Sequence, residues 1–220
     1  VSTNTFTRLV ATLAAVMCFG LWTDTVAAHA APRHRVIGHP QKWASQWSFQ
    51  QLAGFCALNS STDLIAGAGG PELTQYAIEA WALANNELTP DGVAVPGQST
   101  GWGMTWVQAV ATIDYFGAGY GITAKGFDGG GLPWIEAALR ANHELMVEVD
   151  GERIWRERKL DIGAPDHMAV VTGYDLTTRT VILNDSGTPY GRAERIPLAR
   201  FLSAWNTSKE LSVITNKADA

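Results

Sequence analysis

Trp47-Ser48-Phe49-Gln50-Gln51-Leu52-Ala53-Gly54-Phe55-Cys56-Ala57-Leu58-Asn59-Ser60 sets a lone cysteine at the start of a helix-like run, just after a glycine, with a glutamine six positions upstream. A helix N-terminus carries partial positive charge and unsatisfied backbone N–H groups, so a thiol there is biased toward the thiolate, the form that attacks carbonyl carbon. The side-chain amide of Gln50 and the backbone N–H of Cys56 are the kind of donors that hold the negative oxygen of a tetrahedral intermediate. A plainer reading fits the same residue, because free cysteine is among the most buried residue types and often only fills space.

The chain N-terminal to this stretch bears on the choice. Arg8 precedes an apolar run, Leu9 to Trp22, which is followed by the small residues Ala27-Ala28-His29-Ala30-Ala31. A basic start, an apolar segment short for a membrane span and an Ala-x-Ala site predict a secretory signal peptide over residues 1–30, with an uncleaved anchor as the competing reading. Cleavage removes Cys18 and leaves Cys56 as the one thiol. In an oxidising compartment an unpaired cysteine reads as a reactive thiol. Cleavage also removes Arg8 and Asp24, which cancel, so the net charge stays at −5. Mild acidity without a basic run argues against nucleic acid as a partner. The remaining ~190 residues suffice for one domain with a sizeable core.

Residues 31–42, with His34, His39, Pro32 and Pro40, predict an exposed N-terminal arm, either a free leader or a segment lying on the domain, ahead of a single domain over 43–220. No metal or cofactor is expected: the two histidines have no clustered Cys or acid nearby. A helix runs from Ala57 to Ala66 and stops at Gly67-Ala68-Gly69-Gly70. Pro71 suits the first position of a second helix, with Leu73, Tyr76, Ala77, Ala80, Trp81 and Ala84 on its buried face and Asn85-Asn86 at its end. Thr89 to Gly103 is a long loop. Thr105 with Gln108 forms a capping box for a helix ending at Gly117. Pro133 opens another helix that buries Ile135, Ala138 and Leu139.

The second half changes period. Glu144 to Val149 is a strand, Met168 to Tyr174 and Thr180 to Leu183 form a hairpin, Leu198 to Trp205 is a short helix, and Leu211 to Thr215 is a last strand. Glu148, Asp150 and Glu152 read as a solvated edge. Helices first and an antiparallel sheet afterwards predict an α+β domain, with a ligand cleft between the two parts.

A cysteine nucleophile needs a base to take its proton and a third group to orient that base. His167 opens the first hairpin strand and Asp185 follows the second, so strand pairing brings the two to one rim of the sheet. Asn184 is the other possible orienter, but alternation sends it to the opposite face, as it does Asp166.

These residues carry a resemblance. Trp47 to Ser60, His167 to Asp175, Asn184-Asp185-Ser186 and Phe201 to Trp205 resemble papain-like cysteine peptidase family 39, the domains that trim double-glycine leaders in bacteriocin exporters. The pattern is most similar to stand-alone secreted relatives of actinobacteria and spans about residues 43 to 215. Carried over by position, the resemblance implies a papain-like fold with Cys56 as nucleophile, His167 as general base and acid, Asp185 as orienter and Gln50 in the oxyanion hole. Ala57-Leu58 stand where the family usually has Gly-Pro after the nucleophile, and Asp185-Ser186 where it has Asp-Pro. The expectation is a secreted peptidase acting on a peptide or protein substrate. The alternatives are an inactive shell that binds peptide or glycan in the same cleft, and an acyl transferase or cell-wall amidase using the same residues.

Overall fold

The computed structural model describes residues 35–90, 102–157, 161 and 163–219. In chain order, β1 (Val36–Gly38) and the short α1 (Pro40–Trp43) lead to α2 (Cys56–Gly67) and α3 (Gln75–Asn85), and β2 (Thr89–Pro90) pairs with β3 (Trp102–Gly103). Next come α4 (Trp106–Gly117), β4 (Ala124–Phe127), α5 (Gly131–Arg140), β5 (Leu145–Val149) and α6 (Gly151–Trp155). The chain closes with β6 (His167–Asp175), β7 (Thr180–Asn184), β8 (Glu194–Pro197), α7 (Leu198–Trp205) and β9 (Ser212–Thr215). The expected signal peptide with Cys18, His34, and the middle of the loop between Thr89 and Gly103 lie outside the described residues.

The fold is α+β, built on an antiparallel sheet in the order β4-β9-β5-β6-β7-β8, with β1 extending the β5 side of the long β6. Alternation along β6 assigns its side chains to two cores. Ala169 and Val171 join Leu145, Val147 and the α5 and α7 residues Ile135, Leu139, Phe201 and Trp205. Met168 and Val170 join Met146, Leu58 and Ile65 of α2, and Ile113 of α4. Helices therefore cover both faces of the sheet.

Local rules explain several boundaries. Thr105 caps α4 as expected: its backbone N–H donates to Gln108 Oε1 at 2.8 Å, and its hydroxyl accepts from the Gln108 N–H. α5 buries Ile135, Ala138 and Leu139, the face read from the sequence. α3 begins later than Pro71 suggested, because the Thr74 hydroxyl caps it by accepting from Ala77 N–H at 3.2 Å. Its buried face is Gln75, Ile78 and Ala82, and Tyr76 is exposed.

Two further expectations are corrected. From Val36 onward the arm lies on the domain and is not a free leader: β1 pairs with Gly173–Asp175, and Pro40 is buried. Main-chain pairing to an unoccupied length of β6 turns a sequence with little strand character into an ordered edge. The acidic run is not a solvated edge either, since β5 is an interior strand between β9 and β6. Asp150 at its end is fully buried, where it caps α6 by accepting from Arg153 N–H at 3.0 Å and lies 3.0 Å from the Arg153 Nε.

Candidate active site

α2 starts at Cys56 with no side-chain cap on its first turn, so its leading N–H groups keep their donor capacity. Cys56 is partly exposed. Ala57 and Leu58 behind it are buried core residues, so the pair that replaces Gly-Pro leaves the helix start at the thiol and adds packing. Two polar residues on the same helix face, one and two turns on, fix the helix to the hairpin. Ser60 donates its hydroxyl to the Met168 carbonyl at 3.2 Å, next to His167. Asp63 accepts from Asn184 Nδ2 at 3.1 Å, next to Asp185.

His167 and Asp185 are brought together as the hairpin reading required: Nε2 of the imidazole lies 2.7 Å from Asp185 Oδ1, with both side chains buried. The Cys56 thiol is close enough to the ring to favour its charged form. A β-bulge makes this pairing possible. From the turn inward Asp175 faces Thr180 and Gly173 faces Ile182, but beyond Thr172 the register slips by one, so that Val171 faces Leu183 and Val170 faces Asn184. Continued without the slip, the turn's register would have set Asn184, not Asp185, on the face of His167.

Trp155, at the end of α6, completes the corner. Its Nε1–H donates to Asp185 Oδ2 at 2.8 Å, and its ring packs against His167 with centroids 4.9 Å apart. The Gly187 N–H donates to Asp185 Oδ1 at 2.8 Å. Burial works against ionisation of both members, but the donors overcome it for Asp185: His167, Trp155 and Gly187 hold its pKa below the usual carboxylate value. Burial likewise opposes a charged His167, yet the Asp185 carboxylate, with a smaller contribution from Cys56, holds its pKa well above 6.5. The corner thus favours an imidazolium on a carboxylate.

The segment before α2 clasps the other side of Asp185. Trp47 Nε1–H donates to the Asp185 carbonyl at 2.7 Å, and Gln50 N–H donates to the Ser186 carbonyl at 3.0 Å. Gln50 Oε1 accepts from the Ser186 hydroxyl at 3.1 Å, which fixes the amide while its nitrogen has no partner among the described residues. Asp166 instead accepts from Gly151 N–H, and Asn184 also donates to the Trp43 carbonyl, so neither orients His167. His39 pairs with Asn142, and His143 lines a separate cavity between α5 and β9. Among the described residues no group of three or more His, Cys, Asp or Glu side chains could hold a metal ion. Trp155, Trp47, Ser60 and Asp63 escaped the sequence reading. The i, i+4, i+7 spacing of Cys56, Ser60 and Asp63 was a signal for the last two.

The sequence is 32% identical over 196 residues to uncharacterized proteins of Mycobacterium tuberculosis and Mycobacterium bovis, an alignment covering 82% of this chain and 84% of theirs. The chain belongs to their family. No family model matches the sequence. Among solved structures, the chain resembles a provisionally assigned family-39-like peptidase of Bacillus anthracis, with a TM-score of 0.59 at 13% identity over 84% of this chain and 100% of that one. The peptidase domain of Streptococcus ComA, a bifunctional ABC transporter involved in quorum sensing, aligns at a TM-score of 0.49 and 15% identity, over 77% of this chain and 96% of that one. The first of these likenesses shows that the chain has the fold of a family-39-like peptidase.

Proposed function

We propose that the chain is a cysteine peptidase that hydrolyses peptide amide bonds, with Cys56 as nucleophile, His167 as general base and acid, Asp185 as the group that orients His167, and Gln50 as an oxyanion donor. The observation that carries this reading is the buried 2.7 Å pair of His167 and Asp185 beside a partly exposed thiol at the start of α2. His167 takes the thiol proton, and the thiolate adds to the amide carbon. The carbonyl oxygen becomes an oxyanion held by the Cys56 N–H and the Gln50 amide. Collapse expels the amine, which takes the proton from His167 and leaves a thioester on Cys56. Water then gives a proton to His167 and attacks the thioester, releasing the acid and restoring the thiol. The basic start, apolar run and Ala-x-Ala site of residues 1–30 support export by a cleavable signal, and a peptide or protein is the substrate class.

Iodoacetamide labelling of Cys56, followed by intact mass from pH 5 to 9 in wild type, His167→Ala and Asp185→Ala, tests the proposal. A thiolate–imidazolium pair gives fast labelling at acidic pH that collapses in the His167 variant. Labelling that rises only near the free-thiol pKa of about 8.5, and is indifferent to both substitutions, sinks the peptidase reading in favour of a binding shell.

A further inference from the structure

The outer side of α6 carries a feature that the proposed chemistry does not use. Arg153 and Arg156 of α6 and its C-terminal end, with Arg200 and Ser203 of α7, line a cavity of about 700 Å³ completed by Glu152 and Asp161. Trp155 of the same helix turns the other way, onto Asp185 and His167. The cavity is thus one helix removed from the His–Asp corner.

The three guanidinium groups are not equivalent. Arg153 is committed to the fold: its Nε lies 3.0 Å from Asp150 and 3.1 Å from Asp161, and its Nη1 donates to the Ser203 carbonyl at 2.9 Å. Among the described residues Arg200 donates to a neutral acceptor, the Ile154 carbonyl at 3.3 Å. Arg156 is exposed at the end of α6, on a left-handed backbone with φ 66°. Among the described residues neither Arg156 nor Arg200 is ion-paired with a carboxylate. Burial and then the charge of Arg156 lower the pKa of Arg200, with Glu194 in partial opposition. Glu194 is a poor counter-ion, because burial and the charge of Asp185 push it up to about 7 against the pull of His167 and Arg200.

Like charges gathered in a concave site cost free energy that a bound anion offsets, and the guanidinium fork matches a carboxylate in two-point geometry. Of the acids on the wall, Asp161 is held by Arg153, and Glu152 is pushed up to about 7 by burial and then by the neighbouring Asp166. These acids disfavour a multiply charged ligand and leave room for a single carboxylate. We propose that Arg156 and Arg200 form an anion subsite for one carboxylate of the peptide substrate, outside the reacting centre. That the carboxylate belongs to a peptide rests on the peptidase reading; the anion site itself does not.

The test uses the full chain carrying Cys56→Ala, titrated with N-acetylglutamic acid amide, which offers a side-chain carboxylate, and with N-acetylalanine, which offers a terminal one. The arginine Nε–H and Ser203 amide signals are followed by NMR. At least one probe shifts the Arg156 and Arg200 signals saturably, and Arg156→Gln or Arg200→Gln weakens it by about tenfold or more, as loss of a charged hydrogen bond requires. The probe that binds more tightly identifies the source of the carboxylate. Absence of a saturable shift with either probe, or shifts that persist unchanged in both variants, overturns the subsite. Arg156 is exposed, so its variant keeps the test valid should the Arg200 variant fold poorly. Thiol labelling is read separately on the Cys56 chain: labelling without carboxylate binding refutes only the subsite, and binding without labelling refutes only the peptidase reading.

Discussion

Asp63→Asn probes the seat of the helix that presents Cys56. Asp63 accepts from Asn184 through Oδ2, while its buried Oδ1 has no partner among the described residues, nor has Oε2 of the nearby Glu144. Burial, only partly opposed by Asn184, pushes Asp63 from 3.8 up to about 7. Glu144 is also raised, first by burial and then by the charges of Asp63 and Asp219, against Lys42. The folded chain therefore holds a proton on Asp63 at pH values where the unfolded chain has released it. With more protons on the folded state, stability falls as pH rises, by ~1.4 kcal/mol per pH unit. The interval from 3.8 to about 7 amounts to ~4 kcal/mol, fully expressed above pH 7. Asparagine keeps an acceptor for Asn184 and cannot ionise. In urea unfolding followed by tryptophan fluorescence from pH 5 to 8, the variant should be no more stable than wild type at the acid end and should gain on it steadily. The expected swing is ~2 kcal/mol or more, less than the full value because part of the interval lies below pH 5, and Glu144, which titrates more easily once the Asp63 charge is gone, adds to it. A difference between the two proteins that stays constant across this range would refute the reasoning, since Asp63 would then not be a buried acid titrating near neutrality.

Other substitutions read the corner directly. Trp155→Phe keeps the ring over His167 but removes the donor to Asp185, and should cost ~2 kcal/mol in urea unfolding at pH 7. Because the Asp185 pKa is depressed, its stabilisation is present above the unfolded value of about 3.9 and is lost as pH falls through the folded one, so the variant should converge with wild type in acid. Gly187→Ala would place a Cβ 2.5 Å from the Trp155 ring and 3.0 Å from His167 Cε1. The ring must shift, at a cost of ~1–3 kcal/mol, and Cys56 labelling at pH 6 should slow although the thiol is untouched. Thr105→Ala removes one half of the α4 capping box and should lower stability by ~1 kcal/mol with no effect on labelling at any pH.

The sequence disclosed features in proportion to how local their causes were. The capping box at Thr105, the α5 face of Ile135, Ala138 and Leu139, and the strand on either side of the 176–179 turn each depend on residues within a few positions of one another. β1 depends on an unpaired length of β6 more than a hundred residues away, and its three residues carry no alternation to announce it. β4 is also short, at four residues, and Gly126 interrupts its pattern because a side chain there would collide with the Trp106 ring. Asp150 looked like a surface acid because its burial is set by the strands beside β5 and by Arg153, neither of which spacing reveals.

The site repeats this division. Cys56 and His167 stand out by position, one at a helix start and one at a strand start, and each can be found without knowing the other. The choice of Asp185 over Asn184 cannot be made that way. Alternation says only that the two point to opposite faces, and the register fixed by the turn would set Asn184 on the face of His167. The slip at Thr172 reverses that choice, and the side chain there does two jobs at once: it is fully buried, and its hydroxyl reaches the Ile182 carbonyl at 3.2 Å across the irregular pair. Once the slip is made, the displaced Asn184 serves the opposite face by holding Asp63, and Asp185 meets His167 and Trp155. One extra residue in a strand thus gives adjacent side chains separate partners, one holding the helix that carries Cys56 and the other meeting His167 and Trp155.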